Sequence, residues 1–248
     1  DICETYSDRK LFCNDWEFYK AAFGSDYSEN FAFKPVDIPH DWLIYNTNDL
    51  YKTSTGWYRK NFSYQKKEGI RTFIRFDGVY MDSKVYVNGD LAGEWKYGYS
   101  AFMFDITDLV KNGENVVTVR VDHHAPNSRW YSGAGIFRKV WLCESPEIRF
   151  GNDGIYITTA KDEDEWQVTV KAEMLRPVGT PLGGIRIRNT IFDKNGKEVA
   201  SYESDACGAD ISCIPEAVRV KGVSYSLTAQ TMTVKDPELW DITSPVLY

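Results

Sequence analysis

From Tyr51 onward, apolar and polar residues alternate in short runs that are repeatedly broken by turn residues. Such alternation puts successive side chains on opposite faces, which suits a strand with one face buried and does not suit a helix. GWYRKNFSY (56–64) opens the series; a polar turn (65–69) and a second run (70–76) follow, and the pair reads as a β-hairpin. SKVYVNGDLAGEW (83–95) comes next, with Val85 and Val87 on one face. Its Asn88-Gly89 supplies the two residues that best accept positive φ in a tight turn. NVVTVRV (115–121), preceded by the turn 111–114, and the run 137–142 extend the pattern. DITDLV (105–110) predicts one short turn of helix capped by Asp105 or Thr107. DWEFYKAA (15–22) predicts a weaker one.

The unit changes near 143–152. CESPEIRFGNDG carries a proline, then a strand, then a turn, and alternating runs at 155–159, 166–172 and 184–192 follow. Asp193 to Gly196 (DKNG) is a hairpin turn leading into 197–202, and runs at 218–220 and 224–234 complete the series. Roughly seven short strands in about a hundred residues fit an immunoglobulin-like sandwich. The expected fold is therefore all-β, a sandwich over 1–145 followed by an immunoglobulin-like one over 146–248. KDPELWDITSPVLY (235–248) leaves Trp240, Leu247 and Tyr248 with nothing evident to cover them. This predicts that they pack against chain beyond residue 248.

Thirty-six acidic against 29 basic residues give a formal charge of -7. No net positive field is available for nucleic acid, so none is expected as a partner. No apolar run is long enough to cross a bilayer, and no apolar signal-peptide core follows Asp1. Five cysteines (Cys3, Cys13, Cys143, Cys207, Cys213) lack metal-site spacing. Cys3 with Cys13, or Cys207 with Cys213, would pair in an oxidising compartment; free thiols are the alternative. Aromatics reach 15%, which is compatible with sugar stacking and equally with ordinary packing on twisted sheets.

Little chemistry is legible. Glycoside hydrolysis needs two carboxylates flanking the bond. The better-placed ones here, Asp37, Asp41, Asp77 and Asp122, read more readily as ion pairs or turn caps. His123 and His124 are adjacent on a strand and point to opposite faces, so they do not share a metal. No zinc-protease, calcium-loop, nucleophile-elbow or phosphate-loop pattern occurs, and neither a metal nor a cofactor is expected.

The ordered set PHDW (39–42), GWYRK (56–60), FDGV (76–79), VYVNG (85–89), DITDLV and SRWYSGAGIFRKVWL (128–142) closely resembles the N-terminal part of family 2 glycoside hydrolases. That group contains β-galactosidases, β-glucuronidases and β-mannosidases. NDGIYITT (152–159) resembles the entry to the family's second domain, and PELWDITSPVLY its exit toward a catalytic barrel. The long RWY-glycine-glycine form is most similar to the β-galactosidase branch. The resemblance implies a jelly-roll sugar-binding domain, an immunoglobulin-like domain and, in the parent, a (β/α)8 barrel with the two retaining glutamates. It implies no catalytic residue in this chain. It implies as partners the protein's own barrel and a β-linked glycan, leaves homo-oligomerisation open, and points to a secreted or periplasmic setting with a cytoplasmic one still open.

In some β-galactosidases an aspartate just before the tryptophan of this stretch helps hold the terminal sugar. This chain has Asn127-Ser128-Arg129-Trp130 and no aspartate, so Asn127 is the residue that would meet a hydroxyl. Arg129, Trp130 and Tyr131 read either as a stacking platform with a charged donor or as a packed corner that ties a loop or a neighbouring domain. Lys96, Tyr97 and Tyr99, after the VNG hairpin, are rim candidates. Gly133 and Gly135 relieve crowding at a bend, and Trp42 and Trp57 read as core or interdomain residues rather than ligands. Three functions remain: the non-catalytic front of a retaining glycosidase, an autonomous carbohydrate-binding module, or a purely structural scaffold.

Overall fold

The computed structural model describes residues 8–44, 47–49, 51–127, 130, 133–163, 165–208 and 222–248. The chain divides into two compact units, Tyr6–Pro146 and one containing Glu147–Tyr248.

Ten strands build the first unit: β1 (Asp8–Leu11), β2 (Trp16–Ala21), β3 (Lys34–Val36), β4 (Ser54–Tyr64), β5 (Ile70–Phe76), β6 (Ser83–Val87), β7 (Asp90–Trp95), β8 (Phe102–Asp105), β9 (Gly113–His123) and β10 (Val140–Pro146). They form a four-stranded sheet ordered β1-β10-β5-β8 and a six-stranded sheet ordered β3-β2-β4-β9-β6-β7. Every pairing is antiparallel. This is the jelly-roll type of sandwich. Alternation decides which side chains go inside. From the six-stranded sheet Trp16, Tyr58, Val85, Val87, Val117, Val119 and Val121 are buried; Ile74, Phe76, Phe102 and Val140 meet them from the other. Truncating a buried ring such as Trp16 or Phe76 to alanine costs about 3–5 kcal/mol through lost transfer energy and the cavity left behind.

Two local expectations fail. The runs 56–64 and 70–76 are not a hairpin: β4 pairs with β2 and β9, and β5 with β10 and β8. The 65–69 turn instead passes from one sheet to the other. Alternation shows which residues face inward but not which strand lies alongside. At this crossing Tyr64 bridges the sheets, its hydroxyl 2.6 Å from Thr72 Oγ1 and donating to Glu144 Oε1 at 3.0 Å. Lys67 closes the cluster on Glu144. Residues 15–22, expected as a weak helical turn, form strand β2 between β3 and β4. Pairing on both sides and the burial of Trp16 override a modest helical preference.

Other readings hold. Asn88 and Gly89 sit at φ 53° and 94°, the positive values that a two-residue hairpin turn of type I′ requires. Residues 105–110 make one turn, with Val110 N–H donating to Ile106 O at 3.0 Å. Asp105 Oδ1 caps it by accepting from Thr107 N and Oγ1 at 3.0 and 2.6 Å. Of the two cysteine readings the free-thiol one holds at Cys13, Cys143 and Cys207. Cys13 instead donates to Val140 O at 3.6 Å and accepts from Val140 N at 3.4 Å. Burial pushes the Cys143 thiol up to about 11, which keeps it unreactive. Cys3 and Cys213 lie outside the described residues.

In the second unit β11 (Arg149–Asp162), β12 (Glu165–Pro177) and β15 (Val223–Lys235) form a three-stranded sheet in that order, and β13 (Arg186–Phe192) pairs with β14 (Glu198–Asp205). The two short strands expected around GNDG are one strand. Its register shifts between Phe150 and Ile155, and Asp153 sits at φ 54° in that irregularity. The expected run at 218–220 lies outside the described residues. Met174, Ile187 and Ala206 form the small core, with Phe150, Leu182 and Ile185 against it. Asp193 Oδ1 accepts from the N–H groups of Asn195 and Lys197 at 2.8 and 2.9 Å and so shapes the DKNG turn. Lys194 in that turn pairs with Glu238 at 2.8 Å, and Glu238 N–H donates to the Tyr248 hydroxyl at 2.7 Å. The closing segment is thus pinned while Trp240 and Leu247 stay exposed.

The glycine bend of the first unit sets its tightest packing. Gly135 exchanges both main-chain hydrogen bonds with Tyr80 at 2.9 Å, while the flanking Ile136 and Ala134 carbonyls accept from His40 and Trp42 N–H at 2.9 and 3.0 Å. Gly135 has φ 134°, and a Cβ there would overlap the His40 carbonyl and sit 2.5 Å from the Tyr58 hydroxyl. Gly135→Ala should therefore destabilise the chain by about 3 kcal/mol or more, or prevent folding. Gly24, at φ 79° with open space around it, should cost about 1 kcal/mol when changed to alanine. Urea unfolding of the two variants checks the contrast.

Candidate functional site

Strand β9 ends at the candidate rim, and its last residues are tied down from several directions. Asp122 Oδ1 accepts from Thr55 Oγ1 at 2.5 Å, its Oδ2 takes Arg120 Nε at 2.9 Å, and its N–H donates to Met81 O at 3.1 Å. His123 is fully buried. Its Nδ1 lies 3.1 Å from Lys52 O, a partner that can only accept, so Nδ1 carries the proton and Nε2 accepts. Asn127 supplies the matching donor, its Nδ2 3.4 Å from His123 Nε2 and 2.7 Å from His124 O. The Asn127 amide nitrogen is thus engaged within the protein, while the residue itself stands exposed.

The Lys96–Tyr99 loop joins the same edge. Asp82 N–H donates to Lys96 O at 3.2 Å, and Asp82 Oδ2 lies 3.5 Å from His124 Nε2. Tyr99 packs edge-on against Tyr80 at 5.2 Å, with Tyr97 5.7 Å from Tyr99. Since Tyr80 is bonded to Gly135, the two stretches expected at the rim meet through a residue the sequence reading missed. Lys96 and Tyr97 are exposed, Tyr99 is half-buried, and Trp130 is 80% exposed. Trp130 therefore does not sit in a packed corner of its own unit. Arg129 and Tyr131 lie outside the described residues. Trp42 and Trp57 are buried, as expected; Trp42 stacks on Phe18 at 5.3 Å.

The four better-placed carboxylates all have structural partners. Asp41 Oδ1 accepts from Leu43 and Ile44 N–H at 2.8 and 3.1 Å. Asp77 takes Trp141 Nε1 at 2.8 Å and Arg75 at 3.2 Å, and Asp37 accepts from Asp15 N–H at 3.2 Å. With Asp122 held as described, these are turn caps and ion pairs rather than an acid and a nucleophile facing one bond. Among the described residues no group of three or more His, Cys, Asp or Glu side chains converges to hold a metal. No helix there is long and apolar enough to cross a membrane.

Burial pulls both His123 and His40 below the ordinary imidazole value, and His40 Nδ1 lies 2.8 Å from the Tyr58 hydroxyl. A depressed histidine pKa means that the unfolded chain binds protons more readily. Its contribution to stability is complete above the unfolded value of about 6.5 and declines as pH falls through it toward the folded value. Urea midpoints should therefore fall between pH 7.5 and 5.5, and His123→Gln should flatten that dependence.

The comparisons agree with this architecture. Residues 25–146 match the family model described as glycosyl hydrolases family 2, sugar binding domain, and residues 152–248 match glycosyl hydrolases family 2. A β-galactosidase of Bacteroides ovatus is 37% identical over 97% of this chain and 29% of its own length. A β-glucuronidase of Bacteroides fragilis is 36% identical over 49% of this chain and 20% of its own length. A family 2 glycosyl hydrolase from Bacteroides cellulosilyticus superposes with a TM-score of 0.76 at 28% identity, over 96% of this chain and 33% of that structure. The chain thus spans a third or less of the length of these relatives, and its described residues contain two β-sandwich units and no (β/α)8 barrel. It belongs to glycosyl hydrolase family 2, as the sugar-binding and immunoglobulin-like domains that are not the family's catalytic module.

Proposed function

We propose that this chain is the front portion of a retaining glycosidase of β-galactosidase type, in which it supports and partly lines the pocket of a barrel encoded beyond it. The main support is the 37% identity to the β-galactosidase of Bacteroides ovatus, which runs through nearly the whole chain but under a third of that enzyme. The rim geometry adds to it. A ring as large as Trp130 at 80% exposure is the sort of apolar surface that a partner or ligand covers. The Asn127 amide nitrogen is held by His123 and His124, which leaves its amide oxygen and the Trp130 ring as the groups that would meet a sugar. The same reading places the parent in the periplasm or outside the cell, where glycan chains are met.

The 248-residue chain alone should not hydrolyse a chromogenic β-galactoside. Turnover that survives purification and is lost on a substitution within the chain would overturn the proposal. The longer gene product should cleave the β-galactoside in preference to the β-glucuronide, and the reverse preference would refute the β-galactosidase assignment. Trp130→Ala in that longer protein should lower kcat/KM about tenfold or more with folding intact, the cost of losing one pocket-wall contact of about 1.4 kcal/mol.

A further inference from the structure

The outer face of the six-stranded sheet carries a groove that the rim does not use. Alternation leaves Trp57, Arg59 and Asn61 of β4, Val116, Thr118 and Arg120 of β9, and Tyr86 of β6 pointing away from the core. The ladder sets them in rungs: Trp57 opposite Arg120, Arg59 opposite Thr118 opposite Tyr86, and Asn61 opposite Val116. The central strand thus presents its two smallest outward side chains, Val116 and Thr118, between larger ones on both flanking strands. A trough along β9 results, with a volume of about 470 Å³, inside the range of about 300–1,000 Å³ common for small-ligand sites. Tyr27, from the loop before β3, stands over one side of it.

The aromatic walls are fixed in advance. Trp57 is buried and donates from Nε1 to Ser25 O at 3.1 Å. It packs edge-on against Tyr27 at 5.3 Å and lies 6.2 Å from Tyr86. It thereby holds two half-exposed tyrosine rings in place, so a ligand need not order them on arrival. Charge then narrows the ligand class. Asp26 and Glu29 stand with Arg59 and Arg120 among the lining residues. Both guanidiniums already hold protein carboxylates, Arg59 on Glu17 at 2.8 Å and Arg120 on Asp122 at 2.9 Å. With its cations already paired to Glu17 and Asp122, and Asp26 and Glu29 added to its lining, the groove is net negative and does not select phosphate, nucleic acid or a carboxylated sugar. It suits a neutral molecule with C–H faces for the electron-rich rings and hydroxyls for Asn61 and the remaining guanidinium N–H groups.

We infer that the trough lined by Tyr27, Arg59, Asn61, Tyr86 and Thr118 is a binding site for a short neutral oligosaccharide, separate from the rim at the end of β9. The site belongs to the first unit alone and does not depend on the catalytic reading above.

The test is calorimetric and NMR titration of the 248-residue chain with β-linked galactotetraose, cellotetraose and xylotetraose. At least one should bind saturably in the millimolar range or tighter. Tyr86→Ala should weaken it about tenfold and Tyr86→Phe should leave it nearly unchanged, as expected for a stacking contact. Asn61→Ala, at an exposed position where folding is not at stake, should also weaken it. Trp130→Ala should not change it, and that separates this site from the rim. Absence of saturable binding by all three sugars would overturn the inference. So would binding that survives both Tyr86→Ala and Asn61→Ala, or sedimentation showing a dimer that Tyr86→Ala dissociates, because the face would then belong to a second copy of the chain. None of these outcomes bears on whether the longer gene product hydrolyses a β-galactoside.

Discussion

At residue 135 the backbone passes so close to the His40 carbonyl and the Tyr58 hydroxyl that no side chain fits. Much of the first unit depends on this approach. It lets the 134–136 segment hydrogen-bond to His40 and Trp42 on one side and to Tyr80 on the other, bringing three stretches far apart in sequence to one end of the sandwich. The half-buried His40 ring packs on Phe18 at 4.7 Å beside it. Through Tyr80 the same contact also positions Tyr99, and with it the loop that carries Lys96. A constraint that belongs to packing therefore determines where the rim stands.

The six-stranded sheet is used in three ways. Its inward side chains build the core, its strand ends anchor the rim, and its outward side chains form a trough. Trp57 and Arg120, opposite one another, take part in more than one of these. Trp57 braces the tyrosines of the trough, while Arg120 lines it and grips Asp122 at the foot of the rim. The two places differ in what they offer. The rim ends in exposed Trp130 and Lys96, whereas the trough lies open on a finished surface with its arginines already paired.

Much of the fold was legible because burial leaves a period of two in the residues themselves. Val85, Val87, Val117, Val119 and Val121 announce both strand and face, and Asn88-Gly89 announces its turn. Partnership leaves no such mark. The run ending at Tyr64 and the one beginning at Ile70 look like hairpin arms, yet Tyr64 closes one sheet and Ile70 opens the other. Site legibility fails for a related reason. Nothing in the sequence shows that His123 and His124 lie within reach of the Asn127 amide nitrogen. Neither Tyr80 nor Tyr86 is marked out by its neighbours in the sequence. Only the rung joining Arg59, Thr118 and Tyr86 reveals the hollow between them, and that rung consists of residues from three distant parts of the chain.

Asn88 does more than allow a turn. Its side chain donates to Leu109 O and Asn115 Oδ1 at 2.9 and 2.8 Å and accepts from Val116 N–H at 3.0 Å, so the hairpin tip is moored to β9. A strand shifted by one residue exchanges its two faces completely. For β6 such a shift would turn Tyr86 into the core and Val85 or Val87 toward solvent. The mooring therefore acts as a parity lock. An odd shift of β6 along β9 would invert inside and outside for the strand, whereas an even one would keep its faces but carry Tyr86 off its rung with Thr118.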